Sequence, residues 1–222
     1  MPNTPPPFLH DDPRRDAVAL LVELRAEYTL DGPVLISGMV GPRGDGYRSS
    51  GRTDSLEAAA YHRPQLESFA EAGADLVSAL TLTGPEEATG VVRAARAVGL
   101  PVAISFTVEA DGRLPDGTPL DRAVAQVDAE GGPDWFLVNC AHPTHVVKAL
   151  TDGPWRQRIV GLRPNASTLT HEQLDAADEL AEGDLDLLAA SFEALASTLP
   201  ELRIVGGCCG TDVRHVARLW GV

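Results

Sequence analysis

The chain has 222 residues, a formal net charge of −14 and 44% hydrophobic residues. That length suits one α/β domain, and that apolar share excludes a disordered chain. The acidic excess repels phosphate backbones and anionic lipid, which excludes nucleic acid and membrane surfaces as partners.

The opening, MPNTPPPFLHDDPRR, lacks a secretory apolar core, and no apolar run is long enough to span a bilayer. The cytoplasm is the expected compartment. There, cysteines are more often reactive or metal-bound than paired in a disulfide framework.

Residues 1–12 read as a flexible Pro-rich tail, and 13–222 as one domain. A helix is expected over Arg15 to Tyr28. Short apolar runs then mark strands at Val34–Ile36, Asp75–Val77, Val102–Ile104, Trp135–Val138, Ile159–Val160 and Arg203–Val205. Apart from Asp75 and Arg203 at their starts, the runs are apolar throughout, as in a parallel sheet covered on both faces.

The segments between carry helix punctuation. Asp54 with Glu57 reads as a capping box, closed by Gly73. Pro85 with Glu86 and Glu87 opens the next helix, which Gly99 and Pro101 end. Thr170 with Gln173 opens another, and Thr211 or Asp212 the last. Strand alternating with helix implies βαβ units. The run Ser37–Gly44 is glycine-rich but breaks the dinucleotide-binding spacing at Pro42. The remaining choices are an open doubly wound sheet and a (β/α)8 barrel.

All three cysteines fall at strand exits. Cys208 and Cys209 follow Val205-Gly206-Gly207. Inside a strand, neighbouring side chains would point to opposite faces. The flanking Gly206, Gly207 and Gly210 let the backbone turn so that both point one way. Cys140 follows Phe136-Leu137-Val138-Asn139 in the same way. The carboxyl ends of strands are where (β/α) enzymes place their chemistry. Three thiolates on zinc leave one coordination position open, suited to a substrate thiol that zinc would hold as thiolate.

Other readings stand beside this one. Each cysteine is also a small buried hydrophobe, and Cys208–Cys209 a strained vicinal disulfide. Cys140 with His142 and His145 is an alternative metal cluster, made awkward by Pro143. His215 reads as a capping or supporting group. His10, His62 and His171 read as surface residues, and Glu109, Asp111 and Asp116 as solvated loop residues.

The G-G-C-C-G-T run at Gly206–Thr211 with His215, the Asn139-Cys140 pair, Pro164-Asn165, Ile104-Ser105-Phe106 and Asp116-Gly117 resemble the homocysteine S-methyltransferase family. The resemblance implies a (β/α)8 barrel of the TIM type. It implies a Zn2+ cofactor on Cys140, Cys208 and Cys209, with Asn165 and Asn139 beside the substrate. It also implies methyl transfer from a sulfonium, ammonium or folate donor to homocysteine, in methionine biosynthesis.

There are two departures. The D-G-G strand and the strand after it have no counterpart before Val34, so the barrel is expected to be incomplete, with about six βα units. Where the family carries Glu-Thr to hold the substrate amino group, the aligned residues are Ala79-Leu80. A homo-oligomer covering the open barrel edges is expected. A non-catalytic or partner-dependent zinc-binding remnant and an alkyltransferase for another thiol remain as alternatives.

Overall fold

The computed structural model describes residues 12–28, 32–48, 51 and 53–222. The tail expectation lies outside these residues except at Asp12. Asp12 caps helix α1 (Pro13–Glu27) by accepting from the Arg14 N–H.

Six parallel strands follow: β1 (Ser37–Val40), β2 (Leu76–Leu82), β3 (Val102–Phe106), β4 (Trp135–Asn139), β5 (Ile159–Arg163) and β6 (Ile204–Val205). Their spatial order is β1-β2-β3-β4-β5-β6, so every strand pairs with its neighbour in sequence. A doubly wound sheet would reverse direction at a switch point. The sequential order instead makes a curled, partial (β/α) barrel. Among the described residues β6 and β1 do not pair, so the arc is open.

The helices between strands begin and end where local chemistry dictates. Asp54 caps α2 (Ser55–Ala72) through the Leu56 and Glu57 amides, and Gly73 closes it in the left-handed conformation. α3 (Pro85–Val98) starts on Pro85 and ends on left-handed Gly99. Helices α4 (Leu120–Ala129) and α5 (Pro143–Ala149) follow, with a 3₁₀ turn at Pro154–Arg158. α6 (His171–Asp175) carries the Thr170–Gln173 capping box. α7 (Leu185–Ala196) and α8 (Val213–Trp220) complete the chain, and Asp212, not Thr211, caps α8.

β3 is buried at every position, and β4 and β5 at all but one end residue. Interior side chains such as Ile104, Phe106 and Phe136 are wholly inaccessible. This both-sided burial explains the unbroken apolar runs in the sequence.

The first strand differs from its expected place. Val34 and Leu35 are exposed, and the ladder begins at Ser37, paired with Leu76. Asp75 sets this start: its carboxylate accepts from the Ile36 N–H at 2.7 Å and from Arg25 at 2.6 Å. Gly38 lets β1 lie against Phe69, since a Cβ there would fall 2.4 Å from the ring.

Candidate metal centre

Cys140 leaves β4, and Cys208 and Cys209 leave β6, with β5 between them. The three sulfurs lie within 4.8 Å of one another. Those of Cys140 and Cys208 are in bonding contact, with Cα atoms 5.5 Å apart, and Cys209 is free. Cys140 is buried, Cys208 half-buried and Cys209 exposed, so the group opens outward at Cys209.

Each sulfur has one polar neighbour able to donate to it. Thr81 Oγ1 lies 3.8 Å from Cys140, Asn139 Nδ2 lies 4.0 Å from Cys208, and Tyr47 Oη lies 3.5 Å from Cys209. Burial first, and then the Cys209 sulfur, push the Tyr47 phenol above its ordinary range. Tyr47 therefore stays a neutral phenol, able to donate to the Cys209 sulfur or to accept from its thiol. Three soft donors on one mouth of the sheet, each facing a hydrogen-bond donor, fit a thiophilic metal such as zinc.

The backbone around the sulfurs is pinned by two asparagines. Asn139 (1% exposed) accepts from the Thr81 N–H at 2.8 Å and the Ser105 hydroxyl at 2.6 Å, and its Nδ2 donates to Thr81 Oγ1. This holds Thr81 in the left-handed region at φ 60°. Asn165 (2% exposed) donates Nδ2–H to the Cys140 carbonyl at 3.0 Å and accepts the Cys209 N–H at 3.2 Å. One amide thus ties the two cysteine loops together. Cys140 itself sits at φ 54°, a conformation that a non-glycine residue keeps only when its surroundings fix it.

Several expected positions are corrected here. His62 and His171 are buried, not on the surface: His62 is 1% exposed and His171 6%. His62 Nε2 meets the Glu87 carboxylate at 2.9 Å, and the same oxygen accepts the Arg43 N–H at 2.7 Å. Ala58, His62, Leu66 and Phe69 form the buried stripe of α2, and their helical spacing was the available signal. Glu109 is not simply solvated, because it hydrogen-bonds His171.

His142 and His145 do not join the sulfurs: among the described residues the metal-competent group is Cys140, Cys208 and Cys209 alone. His142 caps α5, and burial first and then His145 hold its imidazole down at about 4. His215 shares a capping box with Asp212. Ala79 is wholly buried in the sheet, and Thr81, two residues on, faces the cysteines. Sequence reasoning missed Thr81, on β2, and Tyr47, in the loop after β1.

A cavity of about 350 Å³ has in its wall Tyr47, which reaches the Cys209 sulfur, and His171, which reaches the Cys140 carbonyl. Asp45, Glu109, Glu172 and Asp175 make its lining acidic, with Arg48 as a cation.

Fold and cluster together define a partial (β/α) barrel with a three-cysteine centre at the carboxyl ends of its strands. The homocysteine S-methyltransferase family profile matches residues 11–220, and the chain belongs to that family. It is 31% identical to the homocysteine S-methyltransferase of Escherichia coli (strain K12), over 87% of this chain and 64% of the relative. It is 28% identical to homocysteine S-methyltransferase YbgG of Bacillus subtilis (strain 168), over 83% of this chain and 60% of that one. The chain therefore spans somewhat under two thirds of these relatives' length. The solved homocysteine methyltransferase MmuM from Escherichia coli, in its metallated form, superposes with a TM-score of 0.68 at 26% identity. That match covers 94% of this chain and 69% of MmuM. The oxidized form of MmuM gives 0.71 at 25% identity.

Proposed function

We infer that the chain transfers a methyl group to the thiol of homocysteine, giving methionine, with Cys140, Cys208 and Cys209 holding a zinc ion. The observation that carries this is the meeting of three sulfurs within 4.8 Å at one mouth of the sheet. Bound there, zinc supplies Lewis acidity that lowers the pKa of a substrate thiol and keeps it as thiolate at neutral pH.

The chain's own residues supply the rest. Asn165 and Asn139 hold the cysteine loops in register and stand beside the substrate position. Exposed Cys209 marks the side from which a thiol enters. The acidic lining of the cavity walled by Tyr47 and His171 favours a cationic group. In the reaction the substrate sulfur forms a bond to the methyl carbon. The donor–methyl bond breaks with its electron pair going to the donor, and the thiol proton leaves to solvent. Holding sulfur and methyl in line supplies much of the rate.

The test pairs zinc content of the purified chain with methionine formation from homocysteine and each of a sulfonium, an ammonium and a folate donor. About one zinc per chain with turnover is expected. Loss of both in Cys209→Ala would support the ligand set, and a wild-type chain free of zinc and inactive would refute the reading.

A second reading is a zinc-binding chain that turns over only with a partner, favoured by the open arc between β1 and β6 among the described residues, or one that acts on another thiol, which Ala79 would permit. Zinc with no turnover on any donor would select it. Among the described residues the outer edges of β1 and β6 are unpaired, which favours association of two copies in the cytoplasm. Size-exclusion chromatography showing a stable monomer would count against that.

A further inference from the structure

Three side chains from separate loops converge behind the cysteines. Tyr47 follows β1, Glu109 follows β3, and His171 opens α6. His171 Nε2–H donates to the Cys140 carbonyl at 2.5 Å, and its Nδ1 meets the Glu109 carboxylate at 2.8 Å. The Tyr47 ring stacks on His171 with centroids 4.2 Å apart and planes 25° from parallel, and its hydroxyl reaches Cys209. One imidazole thus touches the backbone of the buried cysteine and, through a stacked ring, the exposed one.

The geometry points to Glu109 and His171 as positioning residues that set how tightly the three sulfurs hold a metal ion; this rests on the zinc reading above. The physical reason is preorganisation. Cys140 sits at φ 54° and does not hold that conformation unaided. Its carbonyl is fixed by His171, with Asn165 and Thr107 also donating to it. The Glu109 carboxylate fixes the imidazole plane, so that Nε2–H is aimed at the carbonyl before any metal arrives. A ligand held in place loses less conformational freedom on binding. Tyr47, resting on the same ring, is kept over Cys209 by the same device. Partners of this kind behind metal ligands commonly change affinity by about 10- to 100-fold.

The test measures zinc affinity by competition with a chromophoric chelator, and thiolate-to-cobalt absorption of the cobalt-loaded chain. His171→Phe keeps the stack under Tyr47 and removes both ring nitrogens. Glu109→Ala removes the partner of Nδ1, whereas Glu109→Gln keeps one, its carboxamide able to accept from Nδ1–H or to donate to a bare Nδ1. His171→Phe and Glu109→Ala are expected to weaken zinc binding by about 10- to 100-fold, with Glu109→Gln within about threefold of wild type. Thermal melts of the metal-free variants check the fold. If His171→Phe does not fold, Glu109→Ala, at a half-buried loop carboxylate, carries the test. Wild-type affinity in Glu109→Ala, or equal weakening in Glu109→Gln and Glu109→Ala, would overturn the positioning role. A wild-type chain that shows no thiolate-to-cobalt absorption would instead overturn the metal reading, and the proposal with it.

Discussion

Replacing Asn165 by alanine removes two hydrogen bonds at once, from Nδ2 to the Cys140 carbonyl and from the Cys209 N–H to Oδ1. The Cys140 carbonyl keeps His171 and Thr107, but the Cys209 amide loses its one acceptor among the described residues. At roughly 1 kcal/mol per bond the loss is about 2 kcal/mol. For a domain of this size that lowers the melting temperature by about 4–8 °C. Asn165→Asp is the sharper test, because it keeps the acceptor for Cys209 and sets a carboxylate oxygen against the Cys140 carbonyl. Lone-pair repulsion and an added negative charge beside the sulfurs should make it at least as damaging as alanine. Thermal unfolding followed by circular dichroism reads both variants, and zinc affinity should fall by about 10- to 100-fold in each. An Asn165→Asp chain that melts and binds metal like wild type would show that the amide does not join the two loops.

Other substitutions probe the frame. Gly90→Ala would place a Cβ 2.4 Å from Ala58 Cβ and 2.8 Å from the Ser55 carbonyl, where α3 crosses α2. Overpacking of about 1–3 kcal/mol should outweigh the gain in helix propensity in urea titrations. Glu87→Ala strips the acceptor from both the Arg43 amide and buried His62 and should cost about 2–3 kcal/mol, with Glu87→Gln retaining much of it. Asp75 is held below its ordinary carboxylate range by the Ile36 amide first and by Arg25. Its folded form therefore stabilises the protein above about pH 4, and the benefit is lost as pH falls through the depressed value. The stability gap between wild type and Asp75→Asn should accordingly be full at neutral pH and shrink on acidification, and a gap that grows in acid would contradict this.

Much of the frame was legible in the sequence because it rests on short-range chemistry. The Asp54 cap, the Thr170–Gln173 capping box and the glycines at 73 and 99 act within a turn of their own helix, so spacing alone places them, although Glu57 gives Asp54 only its amide and not the return bond of a box. The cysteines were legible for a related reason. Apolar runs ending in glycine or asparagine mark strand exits, and strand exits of a parallel sheet share one side. Register was not legible at β1. Val34 and Leu35 have strand-like side chains, yet Asp75 and Phe69, some 35 residues away, fix where pairing begins. Tyr47, Thr81, Glu109 and His171 were unreadable because each acts across the sheet, and nothing local to Thr81 announces a bond to Asn139. His62 was readable in principle from the inward stripe of α2.

The final strand is only two residues long and partly exposed, so it is the thinnest seam of the sheet. Its anchorage comes largely from amides beyond its end: Gly206 to Leu162, Cys208 to Pro164, and Ala166 to Cys209. Detachment of this terminal flap would carry two of the sulfurs away from Cys140. Anything that bridges those sulfurs acts as a rivet on the flap, stabilising the closed form by mass action. Amide exchange between residues 203 and 212 should then report occupancy of the centre more sensitively than any global melt.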